Sequence, residues 1–373
     1  MDDEASLAFD TDIYLALTEQ AADTVFSPAS VASALAMALC GARGRTAAEL
    51  ARTLHAADSP EAAAERLRSL SALLRDVTAE GSVTLRAPDT IWVQSGLPLR
   101  PEFTSRLGDA AWAAADFARA PDQARTEINR AIAAQTEGKI TDLLARGTIG
   151  ALTRLVLANA VYLKASWAEP FAQQATRDAP FYPAGPDQPS LPVPMMQGTA
   201  PRTYLRGDGY QAVLLPYLGH RLAMAVVLPD GPLAGLRPKI GTAGLGGLLA
   251  GATRYQVTLS MPRFRLAAAF DLVPTLQRLG VNEAFGEAAD FGGITAAEPL
   301  RIGAVAHKAY IDVDEHGTEA AAATGMAFRA SGILRPPPPA TMVVDRPFLF
   351  AIIETTTGLP FFLGQVTHPH SGR

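Results

Sequence analysis

The sequence predicts an α+β fold on three observations. Helix-periodic segments fill the first third, strand-like segments dominate from Leu152 onward, and no linker or composition break divides the two. With 48% hydrophobic and 18% charged residues, 373 residues can bury a large core, and we read them as one domain, 1–373. Amphipathic periodicity predicts helices from about Ala5 to Glu19, Pro28 to Leu39, Thr46 to Leu54 and Pro60 to Val77. Ser27 before Pro28 is a helix start, because serine can cap the first turn and proline fits a position whose N–H would be unpaired. The stretch TLRAPDTIWVQ reads as a strand, and a polar helix from Gln123 to Glu137 follows a turn at Pro121.

Beyond Leu152, LTRLVLANAVYL, YQAVLLPY, LAMAVVLPD, YQVTLSMPRF, AYIDVDE, FLFAIIE and FFLGQV read as strands, interrupted by a helix in DLVPTLQRLG. They predict large, mostly antiparallel sheets. The proline-rich segment from Pro180 to Pro201 reads as an irregular surface excursion.

Composition narrows the function. The 32 basic and 37 acidic residues are spread along the chain, net −5, so no nucleic-acid partner is expected; Arg66, Arg68 and Arg75 read as one solvated helix face. Cys40 is the only cysteine and sits in the apolar run VASALAMALCG, which makes it a packed core thiol and rules out an intrachain disulfide. The acidic start MDDEASLAFD lacks the features of a signal peptide, so the chain as given reads as cytoplasmic by default, or extracellular after removal of a leader. The apolar runs are short for a membrane span, and no membrane partner is expected. HExxH, GxSxG and phosphate-loop motifs are absent, and of the six histidines only His368 and His370 are closely spaced, so no enzyme, metal or cofactor is expected.

Several blocks together, in one order, resemble the serpins, the serine protease inhibitor superfamily. They are FSPASVASALAMALCGARGRTAAEL, LVLANAVYLKASWAEPF, VPMMQ, LPYLGHRLAMAVVLPD, MPRFRLAAAFDLVPTLQRLGVNEAFGEAADFGGI, HKAYIDVDEHGTEAAAATG and DRPFLFAIIETTTGLPFFLGQV. The resemblance implies three β-sheets, eight to nine helices and an exposed reactive-centre loop at about 315–340. It also implies a monomer that forms a covalent acyl complex with a serine protease. Alanine, arginine, glycine and proline richness adds the expectation of a bacterial source.

The implied hinge is Glu315, Gly317, Thr318, Glu319, Ala320, Ala321, Ala322, Ala323 and Thr324. If it became a strand, Thr318, Ala320, Ala322 and Thr324 would share one face with Met326, Phe328 and Ala330, all uncharged. The charges, Glu319 and Arg329, fall on the other face, where water can reach them. Noninhibitory serpins often carry bulky, charged or proline residues in the hinge, and here none stands on the face of Thr318, Ala320, Ala322 and Thr324, so inhibition is expected. The alternatives are a noninhibitory binding or carrier protein, or an inhibitor of cysteine proteases.

By the same resemblance Glu315, Trp167 and Arg263 form a latch where the loop enters the sheet, and Ser27, Ser30, Asn159 and His307 form a cluster beneath it where strands part. Family spacing puts the reactive bond between Ser331 and Gly332, with Ala330–Ser331 as runner-up. Small residues there suit an elastase-like or subtilisin-like pocket better than a trypsin-like one. The run RPPPPA, 335–340, departs from the usual family pattern and reads as a stiff spacer.

Overall fold

The computed structural model describes residues 3–19, 22–108, 110–185, 188–319 and 337–369. Its helices are α1 (Asp3–Leu17), α2 (Pro28–Gly41), α3 (Gly44–Thr53), α4 (Pro60–Thr78), α5 (Pro101–Leu107), α6 (Pro121–Gln135), α7 (Arg237–Leu249) and α8 (Val273–Arg278). The start of α2 is built as its sequence requires: Ser27 Oγ accepts from the Ser30 N–H at 3.2 Å, and Pro28 opens the helix. Every residue of α2 is buried, so its alanines serve as thin spacers in the centre of the molecule. Cys40 is buried with them. Arg66 departs from the expected solvated face: it donates to the Leu54 carbonyl, and burial pulls its pKa down against the opposing charge of Asp10.

The first strands are β1 (Thr24–Phe26), β2 (Val83–Arg86), β3 (Asp89–Gln94), β4 (Ala111–Ala115), β5 (Leu155–Ser166), β6 (Arg177–Phe181), β7 (Leu191–Gly207) and β8 (Tyr210–Pro216). They are followed by β9 (Leu222–Pro229), β10 (Thr253–Pro262), β11 (Phe264–Asp271), β12 (Ile302–Val313), β13 (Gly317–Thr318), β14 (Pro339–Val343), β15 (Phe348–Glu354) and β16 (Pro360–Val366). One seven-stranded sheet runs β11-β12-β13-β5-β3-β4, with β2 also on β5; a nine-stranded sheet runs β1-β16-β15-β9-β8-β7-β10-β14, with β6 on β7. Hydrogen bonding thus makes two networks of the three expected sheets. The long β7 joins the second to the third: it pairs with β6 near its start and with β8 near its end, while β10 runs along its other side.

Two expectations change. The single strand read in TLRAPDTIWVQ is two, β2 and β3, both antiparallel to β5 and parted at Ala87–Pro88, where proline lacks the N–H to continue the ladder. The segment from Pro180 to Pro201 is largely strand, in β6 and β7. Its prolines survive because β7 is paired on one side only at Pro192, by β6, and at Pro201, by β10, so a missing N–H can face the open side. The sheets are mostly antiparallel, as expected, with parallel pairs at β5–β12, β3–β4 and β10–β14.

The inner face of the seven-stranded sheet carries Val161, Leu163, Ala309 and Ile311 into a core shared with the nine-stranded sheet. The outer face carries Val156, Ala158, Ala160, Ala304 and Ala306, which α6 and the chain after it cover with Ile128, Ile132 and Ile140. Between β10 and β11 stands Arg263, where the chain passes from one sheet to the other.

Candidate functional site

The site forms where β12 ends. Asp314 turns the chain: its carboxylate accepts from the His316 and Gly317 N–H groups at 2.7 and 3.2 Å, and its own N–H donates to the Gly317 carbonyl at 3.0 Å. The returning β13 lies between β12 and β5, antiparallel to both, with Thr318 opposite Val313 and Ala165, and Gly317 opposite Ser166. Gly317 is required there. Its φ is +152°, and a Cβ would stand 2.1 Å from the Ala165 carbonyl oxygen. Thr318 points inward, wholly buried, and its hydroxyl meets the Tyr217 hydroxyl at 2.6 Å.

Beyond these two residues no strand separates β12 from β5. They pair directly, in parallel, with Ala304 to Tyr310 in register with Val156 to Tyr162. The seam is closed immediately below the hinge.

The structure brings the three latch residues together around the turn. Glu315 is 1% exposed, and its Oε1 accepts from Arg263 Nε and Nη2 at 2.8 and 2.6 Å and from the Thr176 hydroxyl. Burial works to raise this carboxyl, but the bonds from Arg263 and Thr176 outweigh it and hold the pKa below the usual range. Trp167 Nε1 donates to the Asp314 carbonyl at 2.9 Å, and its ring stacks on Tyr217 with centroids 4.5 Å apart. Glu319 is half-buried with φ +48° and pairs with Lys139, while its N–H donates to the Asp312 carbonyl at 2.9 Å.

The second cluster sits beneath the closed seam. His307 and Asn159 are opposite one another across β12 and β5. The Ser27 N–H donates to His307 Nε2 at 2.9 Å, which leaves Nδ1–H to donate to the Asn159 side-chain oxygen Oδ1; Asn159 Nδ2 in turn donates to the Ser30 carbonyl at 3.2 Å. Burial lowers the His307 pKa to about 3, so the ring is neutral. Together the four residues tie both seam strands to the start of α2.

Ala320, Ala321, Ala322, Ala323 and Thr324, and the reactive-bond residues Ala330, Ser331 and Gly332, lie outside the described residues. The chain is described again from Pro337, and the Pro338 carbonyl accepts from Gln256 at 2.9 Å, so the end of the proline run is already docked as the edge strand β14 begins.

The pattern described as serpin (serine protease inhibitor) matches residues 4–369. The chain belongs to the serpin family. It is therefore a member of a family of protease inhibitors and not an enzyme, with a protease as the partner that membership implies. This serpin is 36% identical to an uncharacterized serpin-like protein of Thermococcus kodakarensis, over 98% of this chain and 85% of that one. It is likewise 36% identical to the leukocyte elastase inhibitor of Bos taurus, over 98% of both chains. Among solved structures, a highly specific serpin of the insect Tenebrio molitor superposes with a TM-score of 0.86 at 30% identity, covering 99% of this chain and 98% of that one. Human thyroxine-binding globulin superposes with a TM-score of 0.85 at 26% identity, covering 99% and 98%.

Sequence reasoning missed Tyr217, Thr176 and Lys139, which reach the hinge from distant segments and leave no local signal. Asp314 could have been found: Asp-x-x-Gly directly after a strand marks a tight return.

Proposed function

We propose that this serpin inhibits serine endopeptidases as a suicide substrate: the loop of 315–340 is cut between Ser331 and Gly332, or Ala330 and Ser331, and then inserts between β12 and β5. The protease serine Oγ attacks the carbonyl of the cut bond, the amine of the next residue leaves with a proton from the protease histidine, and an ester remains. The freed hinge then lengthens β13. At about 3.3 Å per residue, the stretch from Thr318 to the cut is roughly 40 to 45 Å long and carries the ester-linked protease across the molecule before water can release it.

The observation that carries this reading is that Gly317 and Thr318 already lie antiparallel to both neighbours at the head of a closed parallel seam. Insertion exchanges one parallel pairing for two antiparallel ones, which are the stronger kind per residue. The sidedness of the hinge supports it as well: Thr318 faces inward, so Ala320, Ala322 and Thr324 would follow it, small and uncharged. In this reading Glu315, Trp167 and Arg263 hold the turn that aims the loop, and Ser27, Ser30, Asn159 and His307 hold the seam until insertion.

The target is elastase-like or subtilisin-like, in keeping with the small residues at the cut and with the leukocyte elastase inhibitors among the relatives. The protein acts as a monomer. Mixing it with a pancreatic-type elastase and with subtilisin, followed by denaturing electrophoresis and mass spectrometry, should show a one-to-one covalent complex and a released peptide beginning at Gly332 or Ser331. Cleavage of the loop with no such complex, by any serine protease of a panel, overturns the proposal and leaves a noninhibitory binding protein.

A further inference from the structure

The seam between β5 and β12 is a wedge. At its head Gly317 and Thr318 already hold the two strands apart, whereas from Tyr162 and Tyr310 downward they pair directly. To admit a longer β13, the foot of β5 at Leu155 must move aside by one strand spacing, about 4.8 Å, while the head at Ala165 can stay where it is. Over about 33 Å of strand that is a swing of only about 8°. A swing needs a fixed end.

The turn between β8 and β9, residues 217–221, is placed to be that end. It is closed on itself: the Tyr217 N–H donates to the Leu222 carbonyl and the His220 N–H to the Tyr217 carbonyl, both at 2.9 Å. The nine-stranded sheet holds it on one side, where the Thr355 N–H and hydroxyl donate to the Arg221 and His220 carbonyls at 3.1 and 2.9 Å. Three contacts reach it from the part that must swing. The Leu218 N–H donates to the Ser166 carbonyl at the head of β5 at 2.9 Å, the Ser82 hydroxyl beside the start of β2 donates to the Leu218 carbonyl at 3.2 Å, and Arg221 pairs with Asp76 in the last turn of α4. Val83 faces Ala165 across β2 and β5, so the first two lie level with the open head of the seam. Atoms within about 5 Å of the axis of such a swing move by less than about 1 Å, which lets these bonds outlast it.

Arg221 spans the boundary between the fixed and swinging parts. On the fixed side stands Glu354, wholly buried; burial works to raise its carboxyl, but the bonds from Thr356 and Thr357 outweigh it and hold the pKa below the usual range. Its Oε1 has no hydrogen-bond partner among the described residues and lies 3.6 Å from Arg221 Nη2. One guanidinium thus stands between a carboxylate of the sheet and a carboxylate of α4, and the same turn carries Tyr217, whose hydroxyl meets Thr318.

We propose that the 217–221 turn is the pivot of loop insertion, with Arg221 and Asp76 as positioning residues that pin α4 and β2 to it. The role rests on the insertion reading and specifies which end of the sheet stays still.

A disulfide separates a pivot from a contact that has to slide. A Cβ on Gly219 would stand 3.8 Å from the Ser82 Cβ, the spacing of a disulfide, and Cys40 is buried out of reach. Ser82→Cys/Gly219→Cys, titrated against elastase or subtilisin, should need the same number of inhibitor molecules per trapped protease in its oxidised and reduced forms, within about twofold. Ala158→Cys/Ala306→Cys joins facing residues of the closed seam, and should lose the covalent complex when oxidised and regain it when reduced. Asp76→Asn should raise the number of inhibitor molecules per protease by about two- to fivefold, Asp76→Glu should keep the parent value, and the oxidised Ser82/Gly219 pair should bring Asp76→Asn back to it. Gly219 has a φ of +81°, so should Gly219→Cys fail to fold, the contrast between Asp76→Asn and Asp76→Glu still decides. Loss of the complex on oxidising the Ser82/Gly219 pair, or an Asp76→Asn protein with the parent's stoichiometry, overturns the pivot. A protein locked across the seam that still traps the protease refutes the insertion reading itself, and the pivot with it.

Discussion

Thr318 is the residue on which the inhibitory reading turns. It is wholly buried, bonded to Tyr217 and in register with Ala165 and Val313, so any larger polar substitute must enter a space already filled by an aromatic pair. Thr318→Arg places a charge there at a cost of about 3 kcal/mol or more. The charge should drive β13 out of the sheet before any cleavage, so the loop is still cut but has no start from which to insert, the covalent complex disappears and the protein becomes a substrate. The stoichiometry of inhibition, titrated against elastase or subtilisin, measures this; a ratio that stays near one would contradict insertion at this register. Glu319 makes the opposite contribution. Its left-handed backbone and its pair with Lys139 end the strand at two residues, and both must be given up before β13 can lengthen.

At the scale of elements, the decisive pair is β5 and β12. The small residues Ala158, Ala160, Ala304 and Ala306 line the outer side of their seam, α6 covers it, and the His307–Asn159 bond crosses it underneath. Opening therefore exposes His307. The sign of its pH dependence follows: the native ring accepts a proton only near pH 3, whereas an opened or unfolded one does so near 6.5. Between those values the open or unfolded state holds more protons, so the stability His307 contributes is full above about 6.5 and is lost as pH falls toward 3, up to about 5 kcal/mol. Denaturation midpoints of the intact protein should fall as pH is lowered through that window, and His307→Gln should flatten the dependence. A variant as pH-sensitive as the parent would assign the effect to other groups.

For the whole molecule, the closed seam means that the native arrangement leaves a further strand's pairing unmade. In the insertion reading this is a state held by barriers, with Ser27, Asn159 and His307 beneath the seam and α6 above it. Cleavage should release it. Adding about ten net hydrogen bonds, at about 1 kcal/mol each, predicts a melting temperature at least about 10 °C higher for protein cut in the loop than for intact protein. Calorimetry of the two forms measures the difference, and equal melting temperatures would argue against insertion.

What the chain order alone determined is what depends on near neighbours. Ser27 and Pro28 start α2 because a cap and a fixed φ act within one turn, and the hinge sorts its charges to one side because strand residues alternate. The latch and the seam cluster were legible only through resemblance, since Arg263 and Glu315, or Asn159 and His307, are separated by long stretches of chain. The misread stretch from Pro180 to Pro201 has the same origin: proline forbids a ladder bond, but only the sheet decides whether that bond was needed. The tertiary structure alone decided that β5 and β12 are closed on each other below Thr318 and that Tyr217 receives the Thr318 side chain. Each is a contact between distant segments, fixed by how two sheets and a buried helix pack together, and packing leaves no mark on any one segment read by itself.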